Sequence, residues 1–277
     1  MLQFNYVIYL IFLLSCISCE SNRISNIAIN TSGNNIKDRI PPPPGYTWVQ
    51  EENNSFPAFL QNIELQPHGS EILDYSGKPI FNQLEHLAIL NYDVGTRDLQ
   101  QCADAVIRIR AEYLYQRGLF SDIAFHFTSG DLFSWEQYKT GYRAFVTGNQ
   151  VDFRQTQSSD DSYQNFKKYL NAVYSYAGTI SLNKETKKVT NDSEIKAGDI
   201  LVTPGSPGHA LIIIGRAIDE NKHSIYLLAE GYTPAQSIHI ITNPGADINP
   251  WYELSANSSS TTTARYTFTP TNIRSFR

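Results

Sequence analysis

The chain has 277 residues, 41% of them hydrophobic and 12% aromatic, which is ample for one large core. Its net charge of −5 is spread along the sequence without a Lys/Arg-rich run, and this argues against nucleic acid as a partner.

The N-terminus reads MLQFNYVIYLIFLLSCISCES and carries no charge before Glu20. Its apolar run, Tyr6 to Leu14, is too short to span a bilayer and fits the central part of a secretory signal, although no basic residues precede it. The run ends in Leu13-Leu14-Ser15-Cys16, which resembles a bacterial lipobox, with Cys19 as the alternative acceptor. That resemblance implies a chain anchored by acyl groups in the bacterial cell envelope, at the outer membrane, without a spanning helix. The expected organisation is a lipoprotein signal over residues 1–19, a disordered tether and Pro-rich spacer over 20–44, and a single α+β domain over 45–277.

Within the domain, Ser55 is placed to cap a short helix whose Phe56, Phe59 and Leu60 face inward. Leu84 to Tyr92 reads as a strand. Asp98 to Arg117 is the best helical pattern, with Asp98 as its cap and Gln101 reaching back in a capping box. Ile123 to Phe127 reads as a strand, Trp135 to Phe145 as a mobile or helical aromatic segment, and Tyr163 to Ala177 as an amphipathic helix.

The most strongly patterned stretch follows, KAGDILVTPGSPGHALIIIG, from Lys196 to Gly215. Asp199 to Thr203 and the run opening at His209 are two apolar strands joined by a tight Gly/Pro turn, the pattern of a β-hairpin. Ser224 to Ala229 is a third strand, with Ser237 to Ile241 and Arg265 to Phe268 as further candidates. Helices followed by a run of antiparallel strands argue an α+β fold.

Cys102 is the lone cysteine beyond the N-terminal region. Its place in the first turn of a helix favours a thiolate through the unpaired N–H groups and the helix dipole, whereas its place on the apolar stripe favours a buried, inert thiol. His209 stands at the mouth of a rigid hairpin, where an imidazole can be held in fixed geometry.

Three short stretches, Gln101-Cys102-Ala103-Asp104, Gly198-Asp199-Ile200 and Gly208-His209-Ala210, together resemble the papain-like NlpC-type and CHAP cysteine hydrolases of bacterial envelopes. The resemblance implies a cysteine-bearing helix packed on an antiparallel sheet, with Cys102 as nucleophile, His209 as base and Glu230, at the end of Tyr226 to Glu230, orienting the histidine. Gln101 would help stabilise an oxyanion. Over its length, from PPPPGYTWV through DLQQCADAVIRIRAEYLY to LLAEGYTPAQ, the chain is similar to an uncharacterised family of bacterial lipoproteins.

His68, His86, His223 and His239 show no ligand spacing with one another, Cys102 or the carboxylates, so no metal site and no cofactor is expected. His126, alternating with Phe125 and Phe127, faces away from those rings. Two readings follow: a membrane-anchored envelope amidase or peptidase acting on peptidoglycan stem peptides or a related peptide, and a non-catalytic lipoprotein binding a glycan or protein partner. Their discriminator is whether Cys102 and His209 meet in a cleft.

Overall fold

The computed structural model describes residues 28–276. The expected signal over residues 1–19, with Cys16 and Cys19, lies outside the described residues, as does the tether up to residue 27. The rest of the tether is folded, which corrects the expected boundary at residue 45. Asn35 caps α1 (Ile36–Arg39) by accepting from the Asp38 N–H. Ile36 and Ile40, four residues apart on one helical face, are fully buried in the main core. Arg39 is also buried, and its guanidinium donates to the Gly33 and Gln66 carbonyls. The Pro41 carbonyl accepts from Trp251 Nε1, so the proline run is packed against the domain.

Next come β1 (Thr47–Trp48), α2 (Phe56–Gln61) with Ser55 accepting from the Ala58 N–H as expected, and β2 (His86–Ile89). The helix expected from Asp98 to Arg117 is α3 (Cys102–Gln116). Its cap is Gln101, whose backbone is extended and whose N–H is accepted by Asp104 Oδ2 at 3.1 Å, a capping box closed by an aspartate. Asp98 is instead bonded by the Ala235 N–H at 2.7 Å and by Gln101 Nε2 at 3.0 Å, so it ties the chain before the helix to a distant loop.

A hairpin, β3 (Ala124–His126) and β4 (Leu132–Ser134), leads into α4 (Trp135–Lys139). Gly141, with φ of +100°, ends that helix, and β5 (Tyr142–Thr147) pairs with β6 (Gln150–Gln155). The aromatic segment is therefore half helix and half strand. Beyond it lie α5 (Tyr163–Tyr174), α6 (Thr179–Glu185), β7 (Lys187–Lys188), β8 (Ile200–Thr203), β9 (His209–Ile218), β10 (Ser224–Glu230) and β11 (His239–Ile241). The chain closes with β12 (Thr261–Thr262), β13 (Thr267–Phe268) and β14 (Ile273–Ser275).

The main sheet runs β2-β11-β10-β9-β8-β14-β7, with β1 also on β9, and every pair is antiparallel. The expected β8–β9–β10 meander is its centre. Short connections of this length cannot make a parallel crossover. The apolar run of β9 follows from burial on both faces. Ala210, Ile212 and Ile214 join Val106, Ile109 and Leu227 in the larger core, whereas Leu211 and Ile213 join Leu228, Tyr252 and Phe268 in a second one. Helix α3 packs on β9 and β10. Among the described residues no helix is long and apolar enough to cross a membrane.

Candidate functional site

Three pieces of backbone converge at one end of the sheet. Cys102 is the first residue of α3, and the N–H groups of that turn have no partners within the helix. His209 is the first residue of β9, delivered by the Gly205–Gly208 turn. A Cβ at Gly208 would stand 2.6 to 2.7 Å from the Gly205 and Thr203 carbonyl oxygens and from Thr179 Oγ1, so any other residue must displace its surroundings. Thr179, at the start of α6, pins the turn by accepting from the Gly205 N–H and donating to the Gly205 carbonyl, both at 3.2 Å. Gly231, just after β10, lets α3 come close. A Cβ there would meet Ala105 Cβ and the Gln101 carbonyl at 3.0 Å.

The structure brings Cys102, His209 and Glu230 together. His209 Nε2 lies 2.7 Å from Glu230 Oε2, with the two residues 3% and 0% exposed. Cys102, half-buried, lines the same cleft as His209, and the charge of each bears on the other; with Nε2 taken by Glu230, the imidazole nitrogen left for sulfur is Nδ1. Burial pushes the Cys102 thiol up, but the hydrogen bond and charge of His209, with the Ala210 and Ala103 N–H groups, outweigh it and leave the thiol below its ordinary value. Burial pushes His209 down, and its bonds to Cys102 and Glu230 with their charges override this, raising it to about 9. The opposed shifts favour a thiolate–imidazolium pair over neutral thiol and imidazole.

The imidazole is fixed from all sides. Tyr266, Tyr232 and Phe268 surround it with ring centroids 4.7, 5.2 and 5.8 Å away. The Arg265 guanidinium lies 4.5 Å over the Tyr232 ring, with Nη1 at 3.4 Å from His239 Nε2 and 3.9 Å from Glu230 Oε1. His239 is fully buried, paired with Glu230 across β10 and β11, and its Nδ1 donates to the Ser237 carbonyl. That bond makes Nε2 the acceptor for Arg265.

Cys102 and His209 open onto a cleft of about 560 Å³ between the start of α3, the start of α6, the Gly205–Gly208 turn and the Tyr232–Thr233 segment. Gln101 sits on its rim. Its Nε2 donates to Asp98 and its Oε1 accepts from Thr233 at 3.1 Å. Asp104 also lines the cleft, 7% exposed, with Oδ1 lacking a partner. Burial holds its carboxyl well above the usual range, against the Gln101 N–H and helped by the neighbouring Cys102 charge. Among the lining residues are Asp98 and Asp104 and no Lys or Arg.

Sequence reasoning names the four residues at this end but not Tyr266, Arg265 or His239 in these roles. They arrive from β11 and the β12–β13 connection, with no local spacing that ties them to Cys102. His126, half-exposed, bonds Glu185 at 3.1 Å, away from the cleft. Among the described residues no group of His, Cys, Asp and Glu could hold a metal ion.

Fold and site define a mixed α+β protein with a buried Cys–His–Glu constellation at the mouth of an antiparallel sheet. A family profile described as domain of unknown function 4846 (DUF4846) matches residues 36–275, and the chain belongs to that family. The match begins at Ile36, on the first buried helix. No curated protein and no solved structure matches the chain.

Proposed function

We propose that this chain is a cysteine hydrolase of the bacterial cell envelope, papain-like in the way a helix-borne thiol meets a strand-borne histidine, and that it cleaves an amide in peptidoglycan stem peptides or a related peptide. The observation that carries the reading is the buried His209–Glu230 pair at 2.7 Å, with His209 lining one cleft together with Cys102 at a helix N-terminus.

With the thiol proton on His209, Cys102 Sγ attacks the scissile carbonyl carbon. A C–S bond forms and the carbonyl electron pair moves to oxygen. The first N–H groups of α3 face that oxyanion, joined by the Gln101 Nε2 proton that Asp98 does not use. Collapse breaks the C–N bond while His209 gives its proton to the departing nitrogen. His209 then takes a proton from water, hydroxide attacks the thioester, and the C–S bond breaks to return the thiolate and release a carboxylic acid. Glu230 keeps the imidazole in one tautomer and supports its charge. The lining carries no Lys or Arg, so nothing in it favours a peptide that is acidic beside the scissile bond.

The N-terminal run ending at Cys16, with Cys19 as alternative, supports anchoring of the hydrolase to the outer membrane by acyl chains. Digestion of purified peptidoglycan by the full chain tests the catalytic reading. New amine and carboxyl ends should appear in released fragments, and Cys102→Ser should abolish them. Fragments that appear equally with Cys102→Ser would overturn it. Retention on peptidoglycan without cleavage, with Cys102 unreactive until denaturation, would establish a binding protein instead.

A further inference from the structure

Residues 72–84 form a hairpin beside the cleft. Leu73 bridges Pro79, and the Asp74 N–H and Ile80 N–H donate to the Lys78 and Ile72 carbonyls at 2.8 and 3.0 Å. Its backbone is pinned at the base. The Gln83 amide accepts from the Ile72 N–H and donates to the Ile72 and Ile80 carbonyls. His86 holds its ring nitrogens 2.9 and 3.0 Å from the Gln83 and Ser70 carbonyls, one of which accepts its N–H. On this fixed frame Phe81 and Leu84 are 106% and 90% exposed, and Leu73 is 37% exposed. Between Lys78 and Glu85 no residue is charged. Held bare apolar side chains of this kind mark an interaction surface rather than a frayed loop.

The surroundings select the partner. The first described segment lies at the same edge of the sheet, since Leu65 and Gln66 bond Asn34 and Arg39 on one side and Gln66 bonds Ile89 of β2 on the other. Gln66 precedes Ile72 by six residues, at most roughly 20 Å of chain. Cys16 precedes Ala28 by twelve, at most roughly 40 Å. An acyl anchor at Cys16 would therefore hold the hairpin within reach of the lipid surface at high effective concentration, which adds to the burial of its apolar side chains.

We infer that the 72–84 hairpin inserts Phe81 and Leu84 into the phospholipid surface to which the N-terminus is anchored, and so presents the Cys102 cleft to substrate lying at that surface. This rests on the lipid-anchor reading and is independent of the chemistry at Cys102. The coupling to the cleft is direct. Tyr75 N–H donates to the Ala235 carbonyl and Asp74 bridges Gln236, two to four residues beyond the cleft-lining Thr233 and Tyr232.

The test uses the lipidated full chain in phosphatidylethanolamine–phosphatidylglycerol vesicles containing lipids brominated near the top of the acyl chains. Phe81→Trp adds a fluorophore to Trp48, Trp135 and Trp251, and the wild type supplies the background. The added emission should be blue-shifted and quenched by more than half. Unquenched, water-like emission from chain that floats with the vesicles overturns the inference. Concentration-dependent protection of the introduced indole without vesicles also overturns it, in favour of a second copy on the hairpin. Native chain that fails to float removes the anchor reading alone. The same fluorophore is then read at millimolar lipid, where measurable quenching keeps the hairpin inference and none overturns it.

Discussion

Glu230 uses one carboxylate oxygen on His209, at 2.7 Å, while the other, Oε1, has no hydrogen bond and faces Arg265 Nη1 at 3.9 Å. Arg265 thus supplies a guanidinium behind a fully buried acid whose working partner is an imidazole. It also bears on His239 and on Tyr232, one of the rings around His209. Arg265→Gln should lower the rate of amide cleavage about tenfold, as loss of an orienting group behind a reactive one does. Stability should fall by about 2 kcal/mol, since a buried charge loses its counter-charge. Arg265→Lys should recover part of the stability and little of the rate, because an ammonium cannot hold His239, Glu230 and Glu85 from one planar fork. Equal recovery of both would show that charge alone matters.

The reactivity of Cys102 has a predicted pH window. The thiol lies below its usual value and His209 is raised to about 9. The ion pair therefore exists from the depressed thiol pKa up to about pH 9, and reverts to neutral imidazole and thiolate above it. At pH 6 alkylation by iodoacetamide should run at least about tenfold faster than for a free thiol, which is then almost wholly protonated. His209→Ala should remove that advantage. Glu230→Gln retains an acceptor but loses the charge, so it should slow alkylation less and bring the upper edge of the window below pH 9. A thiol that reacts only after denaturation would remove the hydrolase reading.

His239 gives a stability prediction with the opposite sign. Burial first, then the charges of Arg265 and His86, hold it near 4 against Glu230 and its bond to Ser237. An unfolded histidine takes its proton near 6.5, so the unfolded chain binds more protons between about 6.5 and 4. The contribution of neutral His239 is complete above about pH 6.5 and lost as pH falls towards 4, by roughly 3 kcal/mol. Urea unfolding at pH 7 and pH 4.5 should show a smaller acid loss in His239→Gln than in wild type. Identical losses would mean that other groups dominate acid unfolding.

The central meander and the ends that carry Cys102, His209 and Glu230 are legible in the sequence because local chemistry marks them. Gly and Pro punctuate the β8–β9 turn, and a strand buried on both faces reads as an unbroken apolar run. Glu230 is named in the sequence only through the family resemblance, which puts an acidic residue at the end of that strand. The segment before residue 45 reads as disordered because two isoleucines among polar residues give little periodicity, although Ile36 and Ile40 do share a helical face. Asp98 reads as the helix cap because its side chain suits that role, but Ala235, far along the chain, claims it. The β5–β6 hairpin escapes a sequence reading because its strands are only half-buried. Arg265, His239 and Tyr266 are invisible for a different reason: only tertiary folding brings them to His209.

Gly208 separates positioning from folding. It is the residue before His209, and a Cβ there would meet two carbonyl oxygens and Thr179 Oγ1 at 2.6 to 2.7 Å. One of those oxygens belongs to the turn and the other to the end of β8, so relief must come from shifting Gly205–Pro207, the end of β8 or the start of β9. Overpacking of this kind costs about 1–3 kcal/mol. The strands beyond His209 are held by pairing on both sides, from Thr203↔His209 onward and through Ala229↔Ile212, so the displacement should stay at the site end. Gly208→Ala is therefore expected to remain folded, with thermal stability lowered by a few degrees. Its rate of amide cleavage should drop about 100-fold, the cost of misplacing a reacting group by roughly 1 Å. Alkylation of Cys102 at pH 6 should slow in step, because the same displacement separates His209 from sulfur. Unchanged alkylation with lost cleavage would place the defect in substrate binding by the Gly205–Gly208 turn instead of in the Cys102–His209 pair.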